Sequence, residues 1–298
     1  MGVIQKGGLI DRIARGLYRR LFVSPAMPPA PPPEILRASM PGALRQLKRL
    51  GFSPATVIDV GVATQTMELY KEFPDAPLLL IEPLAEFEPF LRKIASEYNA
   101  QYVLAAAGDK SGTAVLNVHP DRVGSSLLRE VEGESVDGSP RQVPLVTIDD
   151  LCAERGLHGP FLVKADVQGA ELQVLAGASR TLEQTEAVIL ETTLFGTMLG
   201  GPQVCDVAGW MKQAGFAVYD IYGFNYRPLD GALCQVDMVF VKEKGRFREQ
   251  HAFATAEQRQ AQWIEAERYY RSEMERAGVG PDQKATPGTR RAASGGRS

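Results

Sequence analysis

The chain has 298 residues, 44% of them hydrophobic and 23% charged, with a formal net charge of -3. That balance supplies enough apolar surface to offset chain entropy over most of the length, which excludes global disorder and predicts one large α/β domain with appendages. The slight acidity offers no general attraction for polyphosphate, so no nucleic-acid partner is predicted.

Cys152, Cys205 and Cys234 lack metal-type spacing, and His119, His158 and His251 lie far apart in sequence. Reduced thiols and no metal site are therefore predicted. No apolar run approaches the roughly 20 residues that cross a bilayer, and the first residues lack the order of a secretion signal, so a cytoplasmic location is expected.

Residues 4–22 carry Lys6, Arg12, Arg15, Arg19 and Arg20 beside Asp11, with Ile10, Ile13, Leu17, Leu21 and Phe22 at helical spacing. This basic amphipathic helix has two readings: a solvated helix resting on the core, or a peripheral contact with a membrane or a protein. The prolines of 24–33 predict an extended spacer. The expected division is 1–33 for helix and linker, 34–248 for the main domain, and 249–298 for a charged helix over 255–277 and a Gly/Pro/Ser/Arg tail expected to be disordered.

Within the main domain, a helix over 43–50 closes at Gly51 and a first strand follows at 56–60. A short helix to Phe73 is stopped by Pro74, and the second strand, 78–82, is apolar until Glu82. Leu84, Phe87, Leu91, Ile94 and Tyr98 then share a helix face. After a third strand at 101–106, segments 114–119 and 142–148 read as extended pieces around a polar loop. A fourth strand at 161–166 precedes a helix from near Ala170; a fifth strand at 187–191 precedes a helix over 204–214 ended by Gly215. Strands at 216–222 and 235–241 close as an antiparallel hairpin. The alternation predicts a Rossmann-like, mostly parallel seven-stranded sheet with helices on both faces and an extra β insertion between the third and fourth main strands.

Asp59-Val60-Gly61 stands where the first strand enters a turn, and a residue without side-chain bulk there permits close approach of a nucleotide-like ligand. About twenty residues on, Glu82 ends the second strand, where a carboxylate accepts two hydrogen bonds from ribose hydroxyls. A nicotinamide fingerprint would need further glycines where Ala63 and Gln65 stand. An acid at Asp59 also disfavours a diphosphate and favours a ligand with an amino group, as S-adenosylmethionine has. The competing reading makes Asp59 a loop anchor and Glu82 a strand cap.

The stretch VIDVGVATQTMELYKEFPDAPLLLIEPL, the segment TIDDL at 147–151, the run LVKADVQGAELQVLAGA at 162–178 and QVDMVFVK near the end resemble, in that order, FkbM-type methyltransferases. The resemblance implies a class I methyltransferase fold, S-adenosylmethionine as donor, and O-methylation of a sugar, glycan or other small hydroxylated acceptor. Carried over by position, it implies that Asp59, Gly61 and Thr64 hold the amino acid end of the cofactor and Glu82 its ribose. Asp109 either approaches the adenine or belongs to an ordinary Asp-Lys-Ser-Gly turn at 109–112.

Asp166, Gln168, Gly169 and Glu171 follow the fourth strand, at the carboxyl edge where open α/β sheets bind ligands. Methyl transfer requires an aligned acceptor oxygen and removal of its proton, which makes Asp166 the candidate base or orienting group. Gln168 and Glu191, at the end of the fifth strand, are expected on the acceptor side. Glu171 is read either as a substrate contact or as a helix cap, and Ser126, with Ser125, either as an acceptor contact or as a turn. Asp166 and Glu191 alone do not make a cation site. A second class of function, a noncatalytic cofactor-binding or scaffold protein of a biosynthetic complex, fits the same motifs, and a nicotinamide enzyme fits the topology only.

Overall fold

Every residue of β1 (Thr56–Val60) and β2 (Leu78–Glu82) is buried, as in strands covered on both faces. The computed structural model describes residues 37–278. The amphipathic segment 4–22, the proline-rich spacer and the tail beyond 278 lie outside the described residues.

Ahead of β1, helix α1 (Met40–Arg49) has a proline in its first turn, where no intrahelical donor is lost, and buries Ala43, Leu44 and Leu47. Helix α2 (Met67–Glu72) joins β1 to β2, and α3 (Glu88–Glu97) joins β2 to β3 (Ala100–Leu104). The predicted third strand thus ends early. Ala105 donates its N–H to Glu82 O, and Ala106–Ala107 forms β4 in a second sheet with β5 (Gly112–Val118) and β6 (Ser139–Val146). This is the expected insertion; it also contains the short helix α4 (Glu134–Asp137).

The expected strand over 142–148 stops at Val146, because Thr147 caps helix α5 (Ile148–Arg155) by accepting from Asp150 N at 3.1 Å. After β7 (Phe161–Ala165) the predicted single helix is two pieces, α6 (Glu171–Ala176) and α7 (Ser179–Glu183). Then come β8 (Thr185–Thr193), α8 (Val204–Gln213), β9 (Phe216–Tyr226) and β10 (Leu233–Lys242). The main sheet has the order β3-β2-β1-β7-β8-β10-β9; β10 runs antiparallel to both neighbours, and the other recorded pairs are parallel.

Side chains alternate between the two faces. Ile58, Val163 and Val188 join a core with Leu151, Val174 and Met211 under the later helices. Val57, Leu162 and Ile189 join another with Leu44, Leu69 and Leu91 under α1 to α3. The same alternation puts Asp59, Lys164, Glu191 and Asp237 on the second face, at its carboxyl rim.

Residues 37–250 form one compact unit, and 251–278 are the described part of another. In the latter, Thr255 and Gln258 cap each other reciprocally at the start of helix α9 (Ala256–Arg276), none of whose side chains is buried. No helix among the described residues is long and apolar enough to cross a membrane.

The chain after β4 crosses the join between α6 and α7 closely, and a Cβ on Gly177 would lie 2.0 Å from Gly108 O. Gly177→Ala must part the two segments and is expected to destabilise the protein by about 3 kcal/mol. Urea unfolding measures this; a change below about 0.5 kcal/mol would show that the crossing opens freely.

Candidate active site

Strand β7 reads FLVKA, so a lysine is carried into the interior, where an ammonium is tolerated only when paired. Lys164 Nζ donates to Gly61 O at 3.1 Å and lies 3.4 Å from Asp59 Oδ1 and 3.6 Å from Asp166 Oδ2. Burial pulls its pKa down, but Asp59, Asp166 and Glu191 outweigh burial, and the ammonium titrates above its ordinary value.

Asp59 is fully buried, and its other oxygen accepts from Tyr70 Oη at 2.5 Å. Expected at the cofactor's amino acid end, it faces Lys164 and Tyr70 beneath the cleft, and its Oδ1, 3.4 Å from the ammonium, makes no hydrogen bond. Gly61 does line the cleft, but its nearest constraint is the protein itself. Its φ is +74°, and a Cβ would stand 1.8 Å from Asp166 O, so the chain leaving β1 touches the chain leaving β7.

Above this contact opens a cleft of about 480 Å³, counting its mouth, walled by Pro83, Phe87, Ala106 and Leu116, with Glu82 and Ser125 among its polar residues. Glu82 Oε2 accepts from Ala63 N and Oε1 from Leu84 N, each at 2.9 Å. Burial raises its pKa more than those two amides lower it. Each oxygen keeps acceptor capacity for a further donor.

Thr64 is exposed and lines a separate depression with Phe90, Lys93 and Glu97. Asp109 is exposed in the turn after β4, and Ala105, Ala106 and Ala107 line the cleft in its place. His119 follows β5, pairs with Asp121 at 2.7 Å and donates its backbone N–H to Ser125 Oγ on the cleft wall.

The turn after β7 is held from several sides. Asp166, one-third exposed, accepts from Gln168 Nε2 at 2.9 Å, and the same amide reaches Glu191 Oε2 at 2.9 Å. Glu171 Oε1 accepts from Val167 N at 3.0 Å and Gly169 N at 3.2 Å, so this buried carboxylate staples the turn. Ser126 is likewise buried, donating to Gln168 O at 2.7 Å and accepting from Leu128 N at 2.9 Å; it ties the insertion to the turn. Gln168, at φ +55°, is thereby fixed between Asp166 and Glu191.

Sequence reasoning missed Lys164, Tyr70, Asp237 and Tyr222. A charge inside FLVKA and inside QVDMVFVK was the available signal for Lys164 and Asp237, since neither ion belongs in a buried run without a partner. Neither tyrosine carried a signal. Among the described residues, no group of three or more His, Cys, Asp or Glu side chains is arranged to hold a metal ion.

The strand order, the single reversed strand β10 and a cleft at the carboxyl ends of β1 and β2 define a class I methyltransferase fold. Residues 62–218 match the methyltransferase FkbM domain, and the chain belongs to that family. Over 64 residues it is 41% identical to the 2-O-methyltransferase NoeI of Sinorhizobium fredii, a match spanning 22% of this chain and 26% of that protein. Similar solved structures include magnesium protoporphyrin IX methyltransferase of Synechocystis PCC 6803 with bound SAM, at 11% identity and a TM-score of 0.40, covering 81% of this chain and 86% of that one. Another is the precorrin-6y C5,15-methyltransferase of Geobacter metallireducens GS-15, at 10% identity and a TM-score of 0.36, covering 68% and 87%.

Burial raises three carboxyl groups into the neutral range: Glu171 to about 7, Glu191 to about 8 with Asp166 and Asp237 adding to the shift, and Asp237 to about 7 with Asp166 adding. The fold therefore binds more protons than the unfolded chain. This contribution to stability is complete below the ordinary carboxyl range and is lost as pH rises through 7 to 8. The thermal midpoint is expected to fall by several degrees from about pH 5 to about pH 8.5, and to fall less in Glu171→Gln, which keeps an acceptor for the two amides. A midpoint that rises across that window, or an unchanged slope in the variant, would contradict the assignment.

Proposed function

We propose that the chain transfers a methyl group from S-adenosylmethionine to a hydroxyl oxygen of a sugar, glycan or other small hydroxylated acceptor, with 34–248 as the catalytic unit. The observation that carries this reading is the pairing of Glu82 with apolar walls in one cleft at the carboxyl ends of β1 and β2. A nucleoside needs that combination, an acceptor for two neighbouring hydroxyls beside a slot for a flat heterocycle. Glu82 would hold the ribose, and Pro83, Phe87 and Ala105 to Ala107 would enclose the adenine. The cofactor supplies an electrophilic methyl carried on a sulfonium.

The chain's own part is positioning and proton removal. Asp166 stands at the exposed rim of the β7 turn, where it can orient an acceptor hydroxyl and accept its proton. Lys164 below and Gln168 beside it restrict its movement, and Gln168 links it to Glu191. Holding reacting groups in register is the larger source of rate in a displacement of this kind. The partial match to a 2-O-methyltransferase supports oxygen as the accepting atom.

Calorimetry with S-adenosylhomocysteine tests the first step. Glu82→Ala is expected to weaken binding by about tenfold or more, the loss of charge-assisted hydrogen bonds. Asp166→Asn should retain that affinity while methylation of a fractionated acceptor mixture, followed with labelled donor, slows by about 10²- to 10⁴-fold. No binding of S-adenosylhomocysteine at millimolar concentration would remove the reading, and normal turnover by Asp166→Asn would remove Asp166 from its role.

A further inference from the structure

On the sheet face that carries Lys164, β8 and β10 set Glu191 directly opposite Asp237, and β9 sets Tyr222 opposite Asp237 in turn. Residues paired across strands point to the same side, so two carboxylates and a phenol stand together beside Asp166. Like charges directly opposed destabilise a sheet, yet the hydrogen-bond partners of Glu191 here are the amides of Gln168 and Gln235 and the carboxyl of Asp166, with no cation among them. Lys164 acts on both acids through space, but its short contacts go to Asp59 and Asp166. Once both acids are ionised, negative charge is left in excess.

A second feature points the same way. Tyr222 is 2% exposed, and its hydroxyl has no hydrogen-bond partner. Tyr222 stands opposite Asp237 across β9 and β10, and beyond burial itself the groups raising the pKa of its hydroxyl are acids, Asp237 foremost, then Glu68, Asp220 and Asp166. A Cβ on Gly223 would lie 2.2 Å from Asp237 Oδ2, which shows the carboxylate pressed against β9 next to the phenol. A buried hydroxyl left without a partner is costly, and a ligand carrying both a strong donor and a hydroxyl would satisfy the phenol and the two acids at once.

We infer that Glu191, Asp237 and Tyr222 form the acceptor subsite, and that the acceptor bears a protonated amine near the hydroxyl to be methylated, as an amino sugar does. This rests on the methyltransferase reading above. An ammonium offers three N–H donors and compensates the excess charge, whereas a phosphorylated or carboxylated acceptor is repelled. The charged groups facing the subsite are Asp166, Glu171 and Asp237 around Glu191, and Asp166, Lys164 and Glu68 around Asp237. Because Glu191 and Asp237 titrate near neutrality, seating an amine between them expels protons.

The full chain is first saturated with S-adenosylhomocysteine, so that the cofactor's own amine is already seated. It is then titrated calorimetrically with glucosamine, galactosamine and mannosamine, each against its N-acetyl partner, and with glucosamine 6-phosphate. At least one amine is expected to bind about tenfold or more tightly than its acetylated partner, with net proton release seen as a buffer-dependent heat, and the phosphate more weakly than its parent amine. Glu191→Gln and Asp237→Asn should abolish the preference, and Tyr222→Phe should weaken amine binding several-fold, with S-adenosylhomocysteine binding reporting that each variant is folded. If no amine outbinds its acetylated partner, or if the carboxylate variants keep the preference, the inference is overturned while the methyltransferase reading stands on the first titration. Failure of the first titration removes both.

Discussion

The buried ammonium of Lys164 is the constraint around which the site is built. An uncompensated charge at that depth is not tolerated, so Asp59, Asp166 and the Gly61 carbonyl must converge on it, and in doing so they fix where the chain leaves β1 and β7. The bare Cα of Gly61 is a consequence, since the two exits meet backbone to backbone. The same arrangement leaves Asp166, alone of the two acids, with its carboxylate partly open to the outside. One ion cluster therefore both closes the core and presents the group at the rim.

Around it, residues read either as ligand contacts or as caps and turns hold other residues. Glu171 braces the turn after β7 from within, and Ser126 braces it from the insertion. Through Ser126 the second sheet, which also supplies Leu116 to the cleft, is tied to the turn that carries Asp166 and Gln168. The insertion is thus part of the site's framework and links its two ends.

The two ends differ in chemistry. Toward β2 and β4 the cleft is mostly apolar with one well-satisfied carboxylate; toward β8, β9 and β10 the sheet rim is acidic, with a phenol left unsatisfied. On the reading proposed above, the first end takes the donor and the second the acceptor.

The element types and their order were legible in the residues, because apolar runs of strand length and Gly or Pro stops are local signals, and so were the acids at the ends of β1 and β2 about twenty residues apart. Strand ends were less so: β3 stops at Leu104 because Ala106 and Ala107 join another sheet, a competition between partners distant in sequence. By itself the sequence determined the fold class, the family, and which strand tips bear carboxylates. Only the tertiary structure decided which way the buried acids turn, and that Asp237, not singled out in the sequence, joins them. Asp59 faces Lys164, Glu171 faces its own turn, and Asp237 faces Tyr222, because register across the sheet and the need of each buried polar group for a partner are settled between strands and not along them.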